Sequence, residues 1–573
     1  MSDETGLYRG LTNYGDREFS RYLRRTFLHS TGRAPESLER PVVGIATSES
    51  DFNPCHRAQP ELVASVVRGV TAAGGLPMRF PTVSLGEGFL NPTAMMFRNL
   101  MAMDVEEMVR AQPMDAVVLV GGCDKTVPAQ LMGAFSAGRP AIQLVAGPMS
   151  TGRYHGERLG ACTDCRRFWA DFRGGAAGAA EIAEVERNLA TTAGTCAVMG
   201  TASTMACVVE ALGMALPGSA TAPAVHADRL RIAEATGAAA VEIAAAGRTP
   251  DQVVTAASVR NALRVLLAIG GSTNALVHLT AMAGRLGIRV DPDELNALSE
   301  TTPVLVELKP TGAHYMEDLH ASGGLPAVLH ELRELLDLSA PTVSGATLGE
   351  ALDDGPGWVD RAVVRTVADP SRAKGGLVWL RGSLAPDGAL IKRSAADPAL
   401  FETTGRAVVF RSLADLAARV DDPDLDVEPS DVLVLQNAGP RGAGMPEAGY
   451  LPIPAKLARK GVRDMIRISD ARMSGTAYGT IVLHITPEAA IGGPLALVRT
   501  GDLIRLSVSE TRLDLLVDDA ELARRRAELP APDPGPATGY GRLFHEHVTG
   551  ADRGCDLDFC VPQVAAQQVP ARG

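Results

Sequence analysis

Val117-Val118-Leu119-Val120-Gly121-Gly122-Cys123-Asp124-Lys125-Thr126-Val127-Pro128-Ala129 is the stretch that decides the fold. Four branched apolar residues in a row predict a strand buried on both faces, and the glycine pair ends it in a tight turn. A thiol, a carboxylate and an amine follow on consecutive residues. In open α/β sheets ligands bind just beyond the carboxyl ends of the strands, which is where this triplet falls. A soft ligand for iron or zinc beside a hard ligand for Mg²⁺ suggests two different metals meeting in one crevice. Taken alone, Cys-Asp-Lys reads more simply as a buried thiol next to a surface ion pair. The recurrence of matching pieces elsewhere in the chain favours the functional reading.

Upstream, Pro41-Val42-Val43-Gly44-Ile45-Ala46-Thr47 predicts a first buried strand, running into a polar loop that ends at Cys55-His56. A helical pattern on Leu62, Val63, Val66, Val67 and Val70 follows, then Gly74-Gly75 and a strand over Pro77-Met78-Arg79-Phe80. The loop Ser84-Leu85-Gly86-Glu87-Gly88 leads to a helix over about 92–111. Downstream come a helix and the strand Ala141-Ile142-Gln143-Leu144-Val145. Strands alternating with helices predict an α/β fold, a doubly wound parallel sheet. That topology gathers Cys55, Glu87 and the Cys123-Asp124-Lys125 run along one sheet edge. Gly194-Thr195-Cys196 precedes a small-residue helix read over 199–216, which sets a third thiol near a helix dipole.

Residues 225–340 read as mostly helical, and Gly270-Gly271 would let backbone approach a ligand closely. Residues 1–40 read as an extended or helical arm. Near residue 375 the composition turns to short β-rich runs such as Leu377-Val378-Trp379-Leu380 and Val432-Leu433-Val434-Leu435. The reading is therefore two domains: an α/β domain over 1–375 and a β-barrel-like domain over 376–573. Within the second, Gly442-Ala443-Gly444-Met445-Pro446-Glu447 ends in a carboxylate, and Ser469-Asp470-Ala471-Arg472-Met473-Ser474-Gly475-Thr476 forms a polar loop.

A chain of 573 residues exceeds one hydrophobic core. Its formal net charge of −12, with no basic tract, argues against nucleic acid as a partner. Eight cysteines over this length are too sparse for a disulfide scaffold and suit metal-binding thiols in a reducing compartment. The polar, acidic start Met1-Ser2-Asp3-Glu4-Thr5 does not read as a secretory signal. The uncharged run from Asn188 to Val209 is broken by glycines and followed by Glu210, so it reads as a buried helix with its leading loop, not a membrane span. These features predict a cytoplasmic protein without nucleic-acid or membrane partners.

Taken together, Cys123-Asp124-Lys125-x-x-Pro128, Gly194-Thr195-Cys196, Gly444-Met445-Pro446-Glu447, the Ser469–Thr476 loop and the tail Gly554-Cys555-Asp556-Leu557-Asp558-Phe559 resemble the dihydroxy-acid and sugar-acid dehydratase family, which includes phosphogluconate dehydratase. The resemblance implies an iron–sulfur cluster on Cys55, Cys123 and Cys196, with one iron position open to substrate. It implies Mg²⁺ held by Glu87, Asp124, Glu447 and a carbamylated Lys125, carbamylation turning an amine into the oxygen ligand a hard cation requires. It also implies Ser474 as the general base, acting as an alkoxide in a field to which Arg472 contributes. The expected reaction is dehydration of a 2,3-dihydroxy acid to a 2-keto-3-deoxy acid by a homodimer or homotetramer.

The loops around Glu87 and Ser474 look most like the sugar-acid branch, with pentonates such as arabinonate or xylonate as substrates and 2Fe–2S favoured over 4Fe–4S. Thr476, Cys162, Thr163 and Asp164 are the candidate substrate contacts. The stretch Ala161-Cys162-Thr163-Asp164-Cys165-Arg166-Arg167-Phe168-Trp169 departs from the sugar-acid pattern, and its arginine pair leaves a second anionic group on the substrate open. Three alternatives stand beside this reading. One is a branched-chain dihydroxy-acid dehydratase, another a redox sensor using Cys162 and Cys165, and the third a structural zinc site with Cys162 as fourth ligand. Cysteine separations of 68 and 73 residues rule out a local ferredoxin run. Cys207, Cys555 and Cys560 read as structural, and His56 and His314 as minor pocket candidates.

Overall fold

A computed structural model describes residues 5–11 and 13–562. Residues 1–4, on which most of the leader expectation rests, lie outside the described residues. The organising stretch forms β3 (Ala116–Gly121), flanked by β1 (Val42–Thr47), β2 (Leu76–Pro81) and β4 (Ala141–Val145) in a parallel sheet of order β2-β1-β3-β4. Alternate residues of the strands feed two cores, which is why these segments read as unbroken apolar runs. Val43, Ile45, Val118, Val120, Ile142 and Leu144 pack on α2 (Gln59–Ala72) and α8 (Ala227–Ala246), while Val117, Leu119 and Val145 join a larger core with α3 (Ala94–Ala111) and α4 (Thr126–Ala137).

The crossing of α2 on α8 depends on glycine. A Cβ on Gly69 would fall 1.9 Å from Glu234 O, and one on Gly237 would fall 2.3 Å from Val66 O. Each helix thus brings its backbone against the other, closing the layer over β1 and β3 so that Leu62, Val66 and Val70 are fully buried. Each such side chain contributes about 1.5–3 kcal/mol on burial.

The arm forms α1 (Arg17–His29), capped by the Asp16 side chain. A hairpin of β5 (Gly152–Tyr154) and β6 (Glu157–Leu159) leads into α5 (Thr163–Arg173) and α6 (Ala179–Leu189). The uncharged stretch becomes a loop and the buried α7 (Thr201–Ala211). No helix among the described residues is long and apolar enough to cross a membrane.

The later part of the chain builds a second sheet from β7 (Val378–Leu380), β8 (Gly388–Ile391), β9 (Glu402–Phe410), β10 (Val432–Leu435), β11 (Arg467–Ser469), β12 (Ile481–Thr486), β13 (Leu503–Ser507) and β14 (Arg512–Leu515). Its order is β14-β13-β9-β10-β11-β12-β8-β7, with the β9–β12 run parallel and the flanking pairs antiparallel. The two edges meet: Arg381, just past β7, donates to Thr511 O and accepts from Leu513 N, both at 2.9 Å. Closure of this kind satisfies edge groups that would otherwise be left unpaired. The barrel-like expectation is met, although the sheet is mixed in direction.

Candidate functional site

The loops leaving β1, β2 and β3 meet the two polar loops of the barrel-like sheet. Lys125, which precedes α4 and is fully buried, places Nζ 3.1 Å from Glu87 Oε2, 4.0 Å from Glu447 Oε1 and against Asp124 Oδ2. Arg472, also buried, reaches Glu87 Oε1 at 2.5 Å and Glu447 Oε1 at 2.6 Å, while its Nε donates to Met445 O at 2.8 Å. Asp470, two residues before Arg472, accepts from the amides of Ala438 and Ala489 at 3.0 and 2.9 Å. Oxygens of Glu87, Asp124 and Glu447 lie within 4.8 Å of one another.

Burial disfavours every charge here, and opposite charges overcome it at Asp124 and Lys125. Burial would raise the Asp124 pKa, but Lys125 and Arg472 outweigh it and hold the carboxyl below its usual range. Burial and Arg472 would lower Lys125, but the three carboxylates outweigh them and keep the amine charged. Glu447 is pushed up by burial and by the Glu87 and Asp124 charges. Glu87 Oε2, although close to Lys125, lacks hydrogen-bond alignment with it and remains without a hydrogen-bond partner in a buried position. A buried carboxylate oxygen left this way, in an all-oxygen set, fits a hard cation.

The thiols stand next to this cluster. Cys123 has φ of 62°, a left-handed conformation that costs energy in any residue but glycine. Its neighbour Gly122 donates to His56 Nε2 at 2.9 Å, and His56 Nδ1 donates to Ser48 O at 2.7 Å. Burial lowers the His56 pKa, so the ring is a neutral pin for the Cys123 turn, not a ligand. The Cys55 thiol lies against that of Cys123, and this contact, with burial, raises its pKa. Cys123 Sγ also points at Asp124 Oδ1, 3.4 Å away.

Cys196 arrives from the other side. Thr195 pairs with Pro148 beyond β4, and a Cβ on Gly122 would meet Thr195 Cγ2 at 3.2 Å. Helix α7 begins only at Thr201, so Cys196 lies outside the first turn and the helix-dipole expectation for it is withdrawn. Its Sγ lies 3.0 Å from Cys162 Sγ, and Cys165 Sγ donates to Cys162 O at 2.8 Å. The thiols are thus two pairs, and among the described residues no three of them lie within 4.8 Å of one another. Cys55 thus meets Cys123, the residue before Cys196 approaches Gly122, and Cys162, the fourth ligand of the zinc alternative, lies against Cys196.

Ser474 Oγ is 2.8 Å from Thr476 Oγ1, and Thr163 Oγ1 donates to Thr476 O at 3.0 Å. Asn274 Nδ2 donates to Met473 O at 2.9 Å. Close approach fixes this loop: a Cβ on Gly475 would meet Thr201 N at 2.7 Å, and one on Gly200 would meet Thr476 Cγ2 at 2.8 Å. The Ser474 loop is thereby held against the segment after Cys196.

Asp164 is tied down, accepting from Gly160 N at 2.7 Å and Lys309 Nζ at 2.9 Å, so its carboxylate is a strut for the Cys162 turn. His314 lies 3.8 Å from Asp318, away from these groups. Sequence reading missed Lys392, a fully buried amine whose Nζ is 3.4 Å from Gly475 O and whose pKa burial lowers to about 7. A lysine at the end of Ala389-Leu390-Ile391 was the available signal. Cys207 and Cys555 are buried in apolar clusters as expected.

The N-terminal model of the dihydroxy-acid/6-phosphogluconate dehydratases matches residues 40–351, and the C-terminal model matches 362–555. The chain is 45% identical to the L-arabinonate dehydratase of Rhizobium leguminosarum over 91% of this chain and 90% of that protein. It is 44% identical to the 6-deoxy-6-sulfo-D-gluconate dehydratase of Pseudomonas putida, covering 94% and 93%. The dihydroxy-acid dehydratase of Moorella thermoacetica is 38% identical, covering 93% and 97%. The chain belongs to the dihydroxy-acid/6-phosphogluconate dehydratase family.

Proposed function

We propose that this protein is a hydro-lyase that dehydrates a sugar acid, a pentonate such as arabinonate or xylonate, to its 2-keto-3-deoxy acid. The observation that carries the proposal is the set of buried Asp124 with half-buried Glu87 and Glu447, one carboxylate oxygen lacking a hydrogen-bond partner, beside a thiol edge and the Ser474 loop. Glu87, Asp124, Glu447 and a carbamylated Lys125 would hold Mg²⁺, and Cys55, Cys123 and Cys196 an iron–sulfur cluster, 2Fe–2S in this reading. When bound, these groups supply Lewis acidity at the substrate's carboxylate and hydroxyl oxygens.

The chain's own residues then have distinct tasks. Ser474 Oγ takes the proton from C2, and Thr476 Oγ1, 2.8 Å away, orients it. Arg472, two residues before Ser474, contributes the positive field that favours an alkoxide. As the C2 proton leaves, the C3 hydroxyl departs with a proton as water, and the resulting enol takes a proton at C3 to become the keto acid. Thr163 ties the Cys162 turn to Thr476, so the two walls of the site move together. A cavity of about 810 Å³ opens beside them, lined by Arg166, Trp169, Tyr450 and Tyr478. The similarity to an arabinonate and a sulfogluconate dehydratase supports a sugar acid as the substrate.

The proposal includes a cytoplasmic homo-oligomer whose two functional halves divide near residue 375. It is tested by assaying anaerobically reconstituted protein with Mg²⁺ on pentonates, hexonates, 6-phosphogluconate and 2,3-dihydroxyisovalerate, reading 2-keto acid. Preference for a pentonate is expected. Preference for 2,3-dihydroxyisovalerate would overturn the substrate assignment, and no turnover with an intact cluster would overturn the reaction.

A further inference from the structure

A second group of ligand-type side chains lies apart from the residues above. His226 caps α8, its Nδ1 accepting the Asp228 amide at 3.2 Å; Asp228 sits in the first turn, and His320 lies on the short helix Met316–Ala321. Asp228 Oδ2 is 3.2 Å from His226 Nδ1 and 3.2 Å from His320 Nε2, and one ligand atom from each residue lies within 4.8 Å of the others. A tetrahedral ion with bonds of about 2.0 Å has donor–donor edges of roughly 3.3 Å, close to the Asp228–His320 separation, and His226 Nδ1 would join it by giving up the Asp228 amide.

The outer contacts orient the donors. Arg231 takes Asp228 Oδ1, leaving Oδ2 to face the imidazoles. Thr221 Oγ1 lies 3.4 Å from His320 Nδ1; a proton on Nδ1 directed there turns the Nε2 lone pair toward the carboxylate.

We propose that His226, Asp228 and His320 form a zinc site with water as the fourth ligand. Two imidazoles and one carboxylate suit Zn²⁺ over Mg²⁺, so this site and the carboxylate cluster select different ions. The ion ties α8 to the Met316–Ala321 helix. That helix also grips Arg158 through Glu317 at 2.6 Å and Asp318 at 3.1 Å, and Arg158 lies on β6, just ahead of the Cys162 turn. The zinc site thus braces a wall of the larger site from behind.

The test is equilibrium dialysis of the holoenzyme against Zn²⁺ with metal counting, for wild type, His320→Ala and His226→Ala. His226 is half exposed, so its variant keeps the fold even if His320→Ala does not. Any zinc taken by the other sites is common to all three proteins. Each variant is expected to hold one equivalent less than wild type, and zinc is expected to raise the melting temperature of wild type by more than that of either variant. Equal zinc content in wild type and His226→Ala would overturn the proposal.

Discussion

The carboxylate cluster and the thiol edge sit side by side, yet only the first is assembled by its own forces. Glu87, Asp124 and Glu447 are drawn together because Lys125 and Arg472 stand between them, buried and charged. The thiols carry no opposite charge between them, and they settle as two pairs, Cys55 with Cys123 and Cys162 with Cys196. A cation can enter the first region by taking over charges already balanced. A cluster in the second must supply the organising bonds itself, and a fourth thiol competes for Cys196.

That contrast can be broken most sharply at the thiols. Cys123→Ser is expected to abolish the visible absorption of the reconstituted cluster, whereas Cys162→Ser retains it. Loss of absorption in Cys162→Ser would make Cys162 a ligand. Next in size, Ser474→Ala should lower turnover by about 10³-fold or more while the absorption spectrum is unchanged; a spectrum that changes too would place Ser474 in the cluster's support.

On the charged side, Arg472→Gln leaves two half-buried glutamates without their buried guanidinium, at a cost of at most about 3–5 kcal/mol in Mg²⁺-free protein. Urea denaturation with and without Mg²⁺ should show the ion restoring part of that loss. No Mg²⁺ effect would mean that the carboxylates hold no cation.

The smallest effect concerns Lys392, a buried cation site with no ion pair among the described residues. Its folded pKa of about 7 lies below the ordinary 10.5, so the unfolded chain binds more protons between those values. Stability from this group therefore rises as pH increases from 7 to 10.5, by a few kcal/mol at most. Lys392→Met should flatten that rise in denaturation midpoints measured across the window; an unchanged slope would show that the amine finds a charged partner.

The sequence made the parallel strands legible because β1, β3 and β4 are buried on both faces, leaving long apolar runs. It also carried the convergence of Cys55, Glu87 and Cys123-Asp124-Lys125, since strand topology alone brings those loops together. Arg472's partners were not legible: Glu87 lies 385 residues away, and Asp470, the carboxylate nearest in sequence, binds backbone. Nor was the contact of Cys162 with Cys196, which depends on how the β5–β6 hairpin and α5 fold over the loop before α7. The helix-dipole reading of Cys196 failed on an element boundary, the feature that local periodicity defines least well.

The most direct measurement is a crystal structure of the anaerobically reconstituted protein with Mg²⁺, using anomalous scattering at the iron edge. The account predicts iron bound by Cys55, Cys123 and Cys196 with Cys162 displaced, and a light cation among Glu87, Asp124 and Glu447. Iron bound through Cys162 in place of Cys55, or carboxylates still paired only with Lys125 and Arg472, would contradict it.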